Sequence, residues 1–222
     1  MVIESGSSHL RQAIIAYDAC RDRLTPQLVT AYWRTKFRVN GAKVGLDIVV
    51  PDCDWTEEEI RRPMMSISGE GVLGMMVYRP PEITLPLLNR LYPLMGMATD
   101  FVEEDSLVID THGTTGWIKV EATIDAPNCN TFQKDLKSFI ERSGYFGQRL
   151  IVYILASQAS KDLTGRYFDQ ELIYCRLFGS HLDGGGIISA GFDPSGYLGF
   201  DWRLNPNFRD RFLGARFEEI KR

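Results

Sequence analysis

The chain has 222 residues, 44% hydrophobic and 24% charged, an ordinary globular composition with room for a sizeable core. Its net charge of −4 argues against general nucleic-acid binding, because phosphate contacts need a basic surface. The longest clean apolar run, Leu150–Ala156, is far too short to span a bilayer, and Met1–Gly6 shows no basic-then-apolar leader pattern, so the expected location is the cytoplasm or a particle.

Taken in order, Ser7 or Ser8 caps a first helix whose apolar face is Leu10, Ala13, Ile14, Tyr17, Cys20 and Leu24. Thr25-Pro26 restarts the helix, threonine as cap and proline at the first helical position. Its bulky face, Leu28, Val29, Tyr32, Trp33 and Phe37, suits either the chain's own sheet or a neighbouring molecule. Ala42–Val50 alternates and predicts a strand. Thr56 with Glu59 is a capping box opening a short helix that Pro63 stops. Met64–Tyr78 predicts a hairpin turning at Gly69-Glu70-Gly71. Pro80-Pro81 is the clearest linker-like punctuation, dividing an N-terminal subdomain 1–80 from a core 82–222 if the chain is not one domain. Thr84 then caps a helix carrying Leu87, Leu88, Leu91 and Met95, which Pro93 bends or ends.

Ser106–Ala156 is the best-patterned stretch. Leu107–Ile109 and Trp117–Ile124 predict a hairpin joined by Gly113–Gly116. In the second strand Ile118, Val120, Ala122 and Ile124 face the core, while Trp117, Lys119, Glu121 and Thr123 face water. Asn130 or Thr131 caps a helix with Phe132, Leu136, Phe139 and Ile140 on its apolar side, and Gly144 stops it. Leu150–Leu155, apolar without alternation, predicts a central strand buried on both faces. Farther on, Glu171–Phe178 leans to strand, and Ile187–Phe192 and Tyr197–Trp202 flank the turn Asp193-Pro194-Ser195-Gly196 as a third hairpin. Phe208, Phe212 and Phe217 predict a short tail helix. The class is α+β: a mostly antiparallel sheet with helices on one face and an N-terminal helical segment.

Motifs for chemistry are sparse. Gly69-Glu70-Gly71-Val72-Leu73-Gly74 has the G-x-G-x-x-G spacing, but a strand rather than a helix follows it, so no pyrophosphate cradle is expected. Cys20, Cys53, Cys129 and Cys175 form no C-x-x-C pair and read as free thiols; no metal and no cofactor are expected. Two pairs, Asp110 with His112 and His181 with Asp183, have acid/base or ligand chemistry at strand ends, and their convergence would support a metal-assisted hydrolase.

Charge is segregated: residues 41–60 hold six acidic side chains against one basic, and residues 203–222 hold six basic against three acidic. Opposed patches of this kind suit head-to-tail joining of copies. From Thr84 to Phe178 the predicted element order resembles that of small α+β assembly proteins, such as secretion chaperones and the joining or terminator proteins of phage tails, without a shared motif. The leading expectation is a non-enzymatic assembly protein, an oligomeric component of a larger complex, contacting protein partners through Trp33, Phe37, Trp117, Phe208 and Phe212. The alternatives are the hydrolase and a peptide- or ligand-binding module.

Overall fold

The computed structural model describes residues 23–92, 108–170, 174–183, 185–201 and 205–221. Thr25 starts α1 (Pro26–Val44) by accepting a hydrogen bond from Leu28 N at 3.2 Å, with proline in the first turn. The helix runs to Gly45 and takes in the start of the expected strand at 42–50. Beyond it, Ile48 and Val50 are buried and Val49 is exposed, so the alternation is real, but the extended segment pairs with no strand. The Thr56–Glu59 capping box opens α2 (Glu57–Arg61). A small hairpin, β1 (Met64–Met65) with β2 (Gly71–Val72), turns at Gly69 and is followed by β3 (Gly74–Arg79). Thr84 caps α3 (Leu85–Leu91). Then come β4 (Val108–Asp110), β5 (Gly116–Glu121), α4 (Gln133–Ser143), β6 (Phe146–Gly147) and α5 (Leu150–Thr164). Strands β7 (Tyr174–Leu182), β8 (Ile187–Phe192), β9 (Leu198–Asp201), β10 (Leu213–Ala215) and β11 (Phe217–Ile220) complete the described part.

Two sheets carry the fold, which is α+β. One has the order β3-β5-β11-β6; the other has the order β10-β7-β8-β9, with β4 also paired to β7. Every ladder is antiparallel except the parallel pairing of β10 with β7. The expected tail helix is therefore wrong: Leu213–Ala215 and Phe217–Ile220 are strands, one in each sheet, with Arg216 at the crossing. The expected hairpin at 107–124 is also corrected. Strand β4 leaves β5 and pairs with β7, while β5 lies between β3 and β11. The third hairpin stands, because Asp193 Oδ1 accepts from Ser195 N (2.8 Å) and Tyr197 N (2.9 Å) and fixes the turn between β8 and β9.

The largest correction concerns Leu150–Leu155, which is not a strand. It opens α5, a 15-residue helix touching β3 of one sheet and β7 of the other. Its first two turns, Leu150–Ala156, are apolar all round because they are covered all round. Its run is uniform for the same reason a central strand's would be, so periodicity alone cannot separate the two. The predicted element order that resembled assembly proteins does not survive this change. The sheets meet where β6 crosses β7: Gly179 N donates to Gln148 O at 3.1 Å, and a Cβ at Gly179 would lie 2.2 Å from Gly147 O. One core cluster holds residues from both sides of Pro80-Pro81, and Trp117 Nε1 donates across it to Asp52 O at 3.1 Å. Helix α4 starts at Phe132 with no side-chain cap, since Asn130 sits at φ 55; it covers Phe217 with Leu136 and Phe139. The first helix, Met95 with Pro93, and Trp202 lie outside the described residues.

Candidate functional site

Register decides the fate of the two His/Asp pairs. Asp110 faces Ser180 across β4 and β7, and Ile109 faces His181. Neighbouring residues of a strand point to opposite faces, so Asp110 and His181 sit on opposite sides of the sheet. Asp183 is exposed in the turn after β7. The four side chains do not gather, and among the described residues no group of three or more His, Cys, Asp or Glu could hold a metal ion.

Asp110 and His112 do enter one buried ionic cluster, with partners the sequence had not singled out. Ser180 Oγ donates to Asp110 Oδ1 at 2.6 Å, and Arg79 lies 3.5 Å from its other oxygen. Burial pushes the Asp110 carboxyl above its usual range, against the opposing pull of Ser180 and two arginines. Glu218 Oε1 accepts from Arg149 Nε at 2.7 Å, and His112 Nε2 lies 2.9 Å from the same oxygen without a hydrogen bond to it. Arg149 Nη1 donates to the carbonyls of Thr114 and His112. The cluster binds the 111–115 loop to β11 and the start of α5. Its carboxylates are engaged by Ser180, Arg79 and Arg149, while neither ring nitrogen of His112 has a hydrogen-bond partner among the described residues.

A second cluster lies two residues earlier on the strand. Arg216 is fully buried at the crossing between the sheets. Its Nη2 donates to Asp169 Oδ1 at 2.8 Å and to the carbonyls of Thr123 and Ile124, and its guanidinium lies 4.1 Å from the Phe168 ring centroid. Burial alone would lower the Arg216 pKa, but Asp169 outweighs it and holds the group charged. Glu121, expected in water, is fully buried beside this cluster and accepts from Phe217 N at 2.8 Å; burial pushes its carboxyl up to about 8. Lys119, also expected in water, is buried and donates to the carbonyls of Glu59 and Arg62 at the end of α2; burial pushes it down to about 8. Both faces of β5 are covered, and polar caps replace the water that alternation implied.

The aromatic candidates separate cleanly. Trp33 and Phe37 are fully buried in the core, and Trp117 is buried with its indole donating to Asp52 O at 3.1 Å, so none of the three is an available contact anchor. Phe208 (46% exposed) and Phe212 (45%) stand in the open. With Tyr174 (42%), which the sequence had not marked, they line a cleft of about 290 Å³ completed by Ser189, Asp201, Asp210 and Leu213. Tyr174 joins them because parallel pairing sets Leu213 beside it. Exposed Arg211 stands beside the cleft, its guanidinium 4.5 Å from the Phe212 ring, whereas Arg209 lies over the Phe132 ring at 4.4 Å. Of seven large apolar side chains exposed among the described residues, three meet here. A fourth, Val49 (75% exposed), lies in the acidic segment, where Asp47, Asp52, Asp54, Glu57 and Glu58 are all exposed.

The chain matches no family model, no curated protein and no solved structure. Among the described residues no helix is long and apolar enough to cross a membrane.

Proposed function

We propose that the protein is a non-enzymatic assembly component that joins to further copies of itself head to tail, in the cytoplasm or built into a particle. The observation that carries this reading is the cleft at Tyr174, Phe208 and Phe212: three large aromatic side chains left in water around one concavity. Clustered aromatics dominate contact energies, and single scattered ones do not. The occupant is a second copy, because the complement lies elsewhere on the same chain. Val49 lies in a segment with five exposed carboxylates, of which Asp52 and Glu57 are paired with Arg34 and Arg61, and Arg211 stands beside the cleft. Unlike patches that meet this way make a heterologous contact, which builds rings or filaments rather than a closed pair. The Asp110 and His112 cluster supports the non-enzymatic side of the reading, since Ser180 and Arg79 engage Asp110 and Arg149 engages Glu218.

Sedimentation or light scattering over a concentration series tests it. The mass is expected to rise with concentration, and less so in high salt, because exposed charges are screened. The double variant Phe208→Ser with Phe212→Ser should stay at monomer mass. A wild-type chain that is monomeric throughout, or a double variant that associates equally well, overturns the reading.

A further inference from the structure

A second cleft, of about 390 Å³, opens on a different part of the surface, between the end of α2, the end of α4 and the last residues of β11. Its lining includes Trp55, Glu59, Tyr145, Glu219, Ile220 and Lys221. Three observations there point to a ligand. Trp55 is only 3% exposed, and its indole N–H has no acceptor among the described residues, whereas Trp33 and Trp117 each donate to a backbone carbonyl. A buried donor left without a partner costs about 1–3 kcal/mol, so an idle one calls for an explanation. Glu219 uses Oε1 for Arg62, but its buried Oε2 has no donor. Last, β11 outruns its neighbour. Gln148 N donates to Arg216 O, which fixes the ladder so that residues 216, 218 and 220 turn their main-chain groups toward β6. Strand β6 begins at Phe146, and the position opposite Ile220 is Gly144, the left-handed cap of α4. The amide and carbonyl of Ile220 are thus an open strand edge on this cleft, and no described residue outside the sheet takes them up.

The unmet set is two donors (Trp55 N–H and Ile220 N–H) and two acceptors (Glu219 Oε2 and Ile220 C=O). A metal ion would need acceptors only. A phosphate would need donors only and would meet the Glu219 carboxylate. A polypeptide main chain offers both kinds, at strand spacing. We propose that this cleft receives an extended peptide segment of a partner protein, which adds to the free edge of β11 at Ile220, with side-chain rotation on binding bringing the buried Trp55 N–H and Glu219 Oε2 to its main chain. The volume lies within the range of ligand pockets. This site is separate from the aromatic cleft and does not depend on self-association.

The test is an array of random nine-residue peptides probed with the full chain, followed by titration of the tightest binder, fluorescently labelled. Trp55→Phe keeps most of the ring but removes the N–H. Ser143→Trp changes an exposed position and fills the cleft, which keeps the test valid should Trp55→Phe fail to fold. Each is expected to weaken binding at least tenfold while keeping the wild-type melting temperature. In 15N-tryptophan-labelled protein the Trp55 indole signal should shift on titration. The Phe208→Ser, Phe212→Ser variant should bind like wild type, which separates this site from the proposed function. No peptide above background, or an affinity unchanged in either cleft variant that keeps its fold, overturns the proposal.

Discussion

Strand β11 and the segment just before it handle their side chains in opposite ways. From Arg216 to Glu218 the chain buries a guanidinium and a carboxylate completely and gives each a partner of opposite charge. From Phe208 to Phe212 it leaves two aromatic rings nearly half in water. Burying ions is costly and exposing rings forgoes hydrophobic stabilisation, so neither is what composition alone would choose. The difference teaches where to look for work done outside the molecule. The buried ions answer to Asp169 and Arg149 within the fold, whereas the exposed rings meet little beyond the Arg211 guanidinium over Phe212.

The largest expected effect comes from breaking the internal side of this contrast. Arg216→Leu leaves Asp169 buried without its charge partner and should cost about 3–5 kcal/mol in urea unfolding, whereas Arg216→Leu combined with Asp169→Leu should recover much of the loss. Next is the crossing of the sheets. Gly179→Ala puts a methyl group against Gly147 O and Arg149, so overpacking of about 1–3 kcal/mol is expected in the same assay. Third is Glu121, which burial holds neutral up to about pH 8. In the unfolded chain a glutamate ionises near its ordinary value of about 4.3. Between those values the folded state keeps a proton the unfolded state has released, so stability falls as pH rises. Glu121→Gln imitates the protonated acid and should flatten that fall, read as unfolding midpoints across the window. The smallest effect on stability belongs to the outer side. Phe208→Ser with Phe212→Ser should change unfolding by no more than about 0.5 kcal/mol while abolishing association. A large stability loss there would mean the rings are core after all.

Local chemistry was legible in the sequence. Thr25, Thr56 with Glu59, and Thr84 each cap the helix that their position announces, and Asp193–Gly196 makes its turn, because these signals act within four residues. What lay beyond reach depended on distant cover. Alternation placed Lys119 and Glu121 in water, but the acceptors of Lys119 are about 60 positions away at the end of α2, and Glu121 meets Phe217 N across the next strand. Leu150–Ala156 could be read only as buried, not as helix; the continuation through Ser157–Thr164 to Gly165 is where its length shows. For the candidate site, Phe208 and Phe212 could be named, whereas Tyr174 could not, because the parallel pairing with Leu213 that brings it there has no local signature. Asp110 and His112 were paired on spacing alone, but Asp110 meets Ser180 and Arg79 while His112 lies beside Glu218, partners from three other elements.

The eight residues from Leu213 to Ile220 serve as a strand of both sheets. A nascent chain on the ribosome that has reached Leu198 has already made α5 and most of the strands around it, yet neither sheet is complete. Closure must wait until residues 213–220 have left the exit tunnel, so neither sheet can be completed before they emerge. Until then the groups that Arg216 and Glu218 will neutralise stay open to water, and the growing chain is at its most exposed to chaperones and proteases.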